Sequence, residues 1–296
     1  MPHRSDMAGQ HGVLLMLTLT LMLPGLSSGH CLASEQTDVS LTVVSIDVRP
    51  EGKTDASEAR IRNSRWLGTL AVIGYGSVQW DYFSRTPHTS AEGWFEQDSV
   101  EGGADKLGHF YTSHVLTALL GHWYEGWGTE RSEAGKHAAI SSLLLMTIME
   151  AGDSFSDYGY SKEDMLFNLL GSYAGYRHYV DPGWHRRIDF RVEHSLLSFN
   201  DDLLTDYEHL KFLLAIKLDG FDSLQDSAWS WLELHIGYYA RGYDHSATDG
   251  SRTAYIGIGL NLSKLFARHG WQRTATTLRY LQPPQTTLGS ETALDD

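Results

Sequence analysis

Three segments of the chain each carry a pair of polar residues at the spacing of one helix face. The pairs are Asp105 with His109, Glu150 with Asp153, and Asp164 with Asn168. All three lie in apolar, helix-like sequence, where an unpaired polar side chain is costly to bury. The pattern therefore predicts a polar centre inside a helical core, and Lys106, which follows Asp105, is expected to contribute to it.

This centre allows three interpretations, which the sequence leaves open. Carboxylates combined with an imidazole can hold a divalent metal ion, and the candidate ligands are Asp105, His109, Glu150 and Asp153. Alternatively, His109 could act as a general base that Asp105 orients. The third interpretation is a satisfied hydrogen-bond network that fixes how the helices pack, with Lys106 or His109 paired to the acids. The sequence identifies no particular cofactor or substrate.

The helices that must position these residues are indicated by four apolar segments. They are Trp66–Trp80, Phe110–Tyr124, His137–Met149 and Met165–Tyr176. We place them in a helical core of about residues 62–180. Ser161 is the predicted N-cap of the fourth helix, because Asp164 follows it three residues later. One face of that helix carries a stripe formed by Asp164, Asn168, Gly171 and Gly175. Its glycines predict that a neighbouring helix packs closely there.

After Pro182 the hydrophobic pattern alternates with a period of two, which is typical of strands. The alternating segments are Ile188–Glu193, His209–Leu218, Leu232–Tyr243 and Thr253–Leu262. We therefore predict an antiparallel β region over residues 181–282 that contains at least one hairpin. A final helix is expected over Leu262–Tyr280, and residues 283–296 are expected to form a loose tail. The predicted fold class is α+β.

The first 33 residues have the features of a secretory signal peptide. His3 and Arg4 are followed by the uncharged run Val13–Leu23, which is too short to span a bilayer. Cys31 ends this segment, and its lipidation and a cleavage after Ala33 are alternatives. Residues 34–61 form a predicted lead-in segment, with one strand expected within residues 40–48.

The composition and net charge limit the classes of partner that the protein can bind. With 296 residues, 42% of them hydrophobic, the chain is long enough for a substantial core. A net charge of −14 argues against nucleic acid as a partner and against electrostatic docking on anionic lipid headgroups. Contact with membrane or envelope lipid through apolar side chains stays open, because the helical segments are apolar almost all round. The sequence identifies no protein partner.

The motifs of the polar centre resemble those of the YfiM-like predicted periplasmic lipoproteins. The shared motifs are Asp105-Lys106-x-x-His109-Phe110, Glu150-x-x-Asp153 and Ser161-x-x-Asp164-x-x-x-Asn168-x-x-Gly171-x-x-x-Gly175. This resemblance extends over about residues 62–265, and it implies export to the periplasm or to the periplasmic face of the outer membrane. It implies no established activity. Residues 104–176 resemble, more distantly, the VanZ-type membrane proteins, which implies contact of the helices with lipid.

Two functional hypotheses follow from these observations. The first is a cell-envelope protein that acts as a binding or structural component around its polar centre. The alternative is a hydrolase or transferase that acts on an envelope lipid or glycan, with His109 as the base and the carboxylates as orienting or metal-binding groups.

Overall fold

A computed structural model describes residues 51–195, 206–243 and 250–294 of the chain. In these ranges a helical part packs against one mixed sheet, so the predicted α+β class is confirmed. The expected signal peptide, Cys31 and the strand expected within residues 40–48 lie outside the described residues.

Four long helices form the helical part. They are α1 (Glu51–Gln79), α2 (Ala104–Gly126), α3 (Arg131–Asp153) and α4 (Lys162–Val180). Each corresponds to one predicted segment, so the prediction of a helical core of about four helices is confirmed. The start of α1 differs, because residues 51–61 are helical and not a lead-in. This stretch contains few apolar residues, so hydrophobic periodicity does not reveal its helix. Within the described ranges, no helix has the length and apolar character needed to cross a bilayer.

The glycine stripe of α4 packs against α2. A Cβ atom at Gly171 would lie 2.1 Å from the carbonyl oxygen of Phe110, and one at Gly175 would lie 2.8 Å from that of His114. Only glycine permits this approach of two helix backbones. The predicted close packing is therefore confirmed, and it presses the polar residues of the same stripe into the interface between α2 and α4.

Replacing Gly171 by alanine is expected to lower the free energy of unfolding by about 1–3 kcal/mol, because α2 and α4 must move apart. Gly74 in α1 is the matched control, since no described atom outside its own helix lies within 4 Å of a Cβ placed there. Gly74→Ala should instead be neutral or stabilise by up to about 1 kcal/mol. Urea unfolding followed by circular dichroism measures both variants. Equal effects would contradict the close contact at Gly171.

The described strands form a six-stranded sheet in the order β5-β1-β2-β3-β4-β6. They are β1 (Ile188–His194), β2 (Leu210–Lys217), β3 (Leu232–Arg241), β4 (Ser251–Leu260), β5 (Leu281–Gln282) and β6 (Thr287–Ala293). The four predicted strands are confirmed as β1 to β4, which pair antiparallel. Strand β5 pairs parallel with β1. The short helix α5 (Pro182–Arg187) connects α4 to the sheet.

The C-terminal part differs from the prediction in two places. The expected final helix is divided into α6 (Leu262–Arg268) and α7 (Gln272–Thr277). Gly270 lies between them with φ of 82°, a left-handed conformation that ends a helix. Residues 287–293 of the expected loose tail form the edge strand β6, because their backbone pairs with β4 although their side chains are mostly exposed.

One hydrophobic cluster joins the helices to the sheet. Ala104 and Tyr111 from α2 pack against Val192 of β1 and Phe212 of β2. Val192 and Phe212 are directly paired across β1 and β2, so their side chains share the face of the sheet that is turned towards the helices. The start of α2 is thereby fixed against the sheet, while its other side faces α3 and α4.

Candidate functional site

The polar centre forms where the first turns of α2 and α4 meet the last turn of α3. It contains Asp105, Lys106 and His109 from α2, Glu150 and Asp153 from α3, and Asp164 and Asn168 from α4. Ser161 caps α4 as predicted, since its hydroxyl accepts a hydrogen bond from the Asp164 amide at 3.2 Å. The partial positive charge of a helix N-terminus favours the carboxylates of Asp105 and Asp164.

Lys106 is the cation of this centre, and its side chain is fully buried. Its Nζ lies 2.6 Å from Asp105 Oδ2, 2.9 Å from Glu92 Oε2 and 3.5 Å from Asp164 Oδ1. Burial opposes the charge, but the carboxylates of Asp105 and Asp164 outweigh it and raise the pKa of Lys106. Lys106 therefore stays protonated. Glu92 comes from the irregular segment before α2. It lies outside the segments with helical periodicity, so the sequence did not predict that it belongs to the centre.

His109 occupies the middle of the centre. Its Nδ1 lies 3.2 Å from Asn168 Oδ1 and 3.4 Å from Glu150 Oε1, and its Nε2 lies 3.7 Å from Asp164 Oδ2. Burial lowers the pKa of His109 to about 4, so the imidazole is neutral at neutral pH. Asp105 bonds Lys106, and it is Asn168 that orients the imidazole, in contrast to the expectation that Asp105 would do so.

Most carboxyl groups of the centre resist ionisation. Burial and the charge of Asp164 raise the pKa of Glu150 to about 9 and that of Asp105 to about 7. Burial also raises the pKa of Asp153 to about 7, against the hydrogen bond from Tyr82. Tyr82, from the loop after α1, was not predicted; its hydroxyl donates to the Met149 carbonyl oxygen at 3.0 Å.

Several polar atoms of the centre lack hydrogen-bond partners. Within the centre, as the described residues form it, these include three buried carboxylate oxygens: Asp105 Oδ1, Glu150 Oε1 and Asp164 Oδ1. The contacts of two of them are long, since Lys106 Nζ lies 3.5 Å from Asp164 Oδ1 and His109 Nδ1 lies 3.4 Å from Glu150 Oε1. Such groups carry a large desolvation cost unless something pairs with them. The protein groups of the centre thus leave part of its hydrogen-bonding capacity unused.

The centre contains two sets of possible ligand atoms, and in each set the atoms are close enough to bind one metal ion. One atom each from His109, Glu150 and Asp164 lies within 4.8 Å of the others, and Glu92, Asp105 and Asp164 form a second such set. Asp164 belongs to both. The described structure thus brings three of the four candidate ligands into these sets, while the fourth, Asp153, belongs to neither. Asp164 and Glu92 complete the sets.

A second buried ionic network lies on the sheet face opposite the helical part, and the sequence did not predict it. Arg191 of β1 bonds Glu233 of β3 at 2.6 Å and Asp189 at 2.8 Å. Lys217 lies 2.7 Å from Asp189, and Arg279 lies 2.9 Å from the same carboxylate. Because each acid here has a cation beside it, this network has a structural character that the polar centre lacks.

Residues 91–180 match the family described as "Predicted periplasmic lipoprotein (DUF2279)". This range contains Glu92 and the seven predicted residues of the polar centre, and it confirms the family resemblance over residues 91–180. Comparisons with curated proteins and with solved structures gave no match.

Proposed function

We propose that this cell-envelope protein, whose residues 91–180 match a family of predicted periplasmic lipoproteins, binds a divalent metal ion at its polar centre. The observation that carries the proposal is the group of buried carboxylate oxygens without hydrogen-bond partners beside a neutral imidazole. A divalent cation is the ligand that such donor atoms lack.

The charge balance of the centre supports this proposal. Five carboxyl groups, those of Glu92, Asp105, Glu150, Asp153 and Asp164, surround the single described cation Lys106. Without a further cation, burial and mutual repulsion force some of these acids to keep their protons. A bound divalent ion would displace the protons and remove the repulsion.

The expected ligands are the imidazole of His109 and one oxygen each of Glu150 and Asp164. Asn168 orients the imidazole by its hydrogen bond, as partners of metal-bound histidines usually do. A mixed nitrogen and oxygen set suits manganese or zinc better than calcium, which takes six to eight oxygen ligands.

Isothermal titration of the purified, chelator-treated protein with manganese chloride tests this function. We expect one ion per chain, and a loss of affinity of about tenfold or more in Glu150→Gln and His109→Ala. Glu133→Gln is the matched control, because Glu133 lies on α3 as well but is exposed and pairs with Lys136. The absence of saturable binding, or an equal loss in the control, would contradict the proposal.

A further inference from the structure

A cavity of about 310 Å³ lies between the helical part and the sheet. Phe110 of α2 and Leu170 of α4 line it from the helices, and Phe190, Leu214 and Ile236 line it from the sheet. Its volume is within the range of about 300–1,000 Å³ that small-molecule sites occupy. It uses the sheet-facing sides of α2 and α4, whose other sides form the polar centre.

The cavity lining is apolar, because the polar groups of its side chains form hydrogen bonds elsewhere. Tyr111 donates its hydroxyl to the Tyr280 carbonyl oxygen at 2.8 Å, and Tyr238 donates its hydroxyl to another backbone carbonyl. Arg191 also borders the cavity, but its terminal nitrogens bond Glu233 on the opposite face of the sheet. A polar ligand would lose its hydrogen bonds to water here without replacement, so the cavity suits a hydrocarbon.

The cavity opens between a helix and a strand. Leu170 and Ile236 both line it, and they are 43% and 51% exposed. Ile256 pairs with Ile236 on the neighbouring strand and is exposed on the same face. Leu234 and Ile258 continue this exposed aliphatic strip along β3 and β4. The opening is therefore bordered by hydrocarbon on the sheet side.

We propose that the cavity binds one linear acyl chain, which enters between Leu170 and Ile236. The envelope, where this protein resides, contains acyl chains in its lipids and as free fatty acids. An empty apolar cavity destabilises a fold, and an apolar occupant relieves that cost. A chain leaving the cavity can lie on the aliphatic strip, while its polar end stays in water. This site is independent of the metal site, so either can fail without the other.

Fluorescence titration with dansylated undecanoic acid tests the proposal on the full purified protein. We expect saturable binding of one probe per chain. Ile236→Asp should weaken it about tenfold or more, because it places a charge at the opening. Leu170→Trp should weaken it by filling the opening. Leu260→Asp is the matched control, since Leu260 is 56% exposed on the same sheet face and lies outside the lining. Circular dichroism verifies that each variant is folded.

Displacement of the probe identifies the source of the chain. Displacement by lysophosphatidylethanolamine supports a lipid, and displacement by palmitate alone supports a free fatty acid. Failure of both competitors, or an equal loss of probe binding in Leu260→Asp, would overturn the proposal. So would a dimer that binds no probe and dissociates in both Ile236→Asp and Leu260→Asp, because a second copy would then cover this face.

Discussion

Glu150→Gln is expected to stabilise the metal-free protein at about pH 8 by at least about 2 kcal/mol, since one pKa unit corresponds to about 1.4 kcal/mol. Burial raises the pKa of Glu150 from 4.5 to about 9. Between these values the folded state binds a proton that the unfolded state has released, so the free energy of unfolding falls as pH rises. Glutamine carries no such proton, and its amide oxygen can still accept the hydrogen bond from Ser161.

The measurement is urea unfolding of the chelator-treated wild type and of Glu150→Gln at about pH 5.5 and about pH 8. The advantage of the variant should grow with pH. His109 titrates with the opposite sign below pH 6.5, but it is present in both proteins and cancels in the comparison. Manganese should raise the melting temperature of the wild type, more at the higher pH, and raise that of the variant less at the same concentration. A variant that is less stable than metal-free wild type at pH 8 would contradict this account of Glu150.

Arg191→Met is expected to lower the free energy of unfolding by about 3–5 kcal/mol, because it removes the guanidinium that pairs with the buried Glu233 carboxylate, while Asp189 keeps Lys217 and Arg279. Arg191 is fully buried, and it bonds both Glu233 and Asp189. The matched control is Arg186→Met on the neighbouring helix α5, where the pair with Asp222 is exposed. An exposed pair contributes about 1 kcal/mol or less, so the control should change little.

Urea unfolding of the double variant Arg191→Met/Glu233→Leu distinguishes two origins of the lost stability. One is the loss of the ion pair itself, and the other is the desolvation penalty of the Glu233 carboxylate that stays buried. If the cost arises because the buried Glu233 carboxylate keeps only His235 beside it, the double variant should recover a large part of the lost stability. A loss equal to the sum of both single variants would contradict that origin. These measurements need no metal, so they test the sheet network separately from the polar centre.

The sequence predicted the polar centre because its residues follow helical spacing. Asp164, Asn168 and Gly171 share one face of α4, and that face is buried against α2, so periodicity was informative there. Glu92 could not be found in this way, because it lies in an irregular segment and joins the centre only through tertiary contact with Lys106.

The sheet network shows a different limit of sequence reasoning. Asp189 and Arg191 alternate with Ile188 and Phe190 in β1, a pattern that indicates a polar face in water. In the structure Arg279 and other C-terminal residues cover this face, so the charges are buried and paired. Alternation predicts which side chains share a face, but it cannot predict what later covers that face.

The most direct test of the metal site is anomalous diffraction from crystals of the protein soaked in manganese chloride. We predict one strong anomalous peak within bonding distance of His109, Glu150 and Asp164, and a weaker peak in Glu150→Gln crystals soaked at the same limiting manganese concentration. The absence of a peak at these three residues in the wild type at saturating manganese, with unpaired carboxylate oxygens facing ordered water instead, would contradict the proposed function.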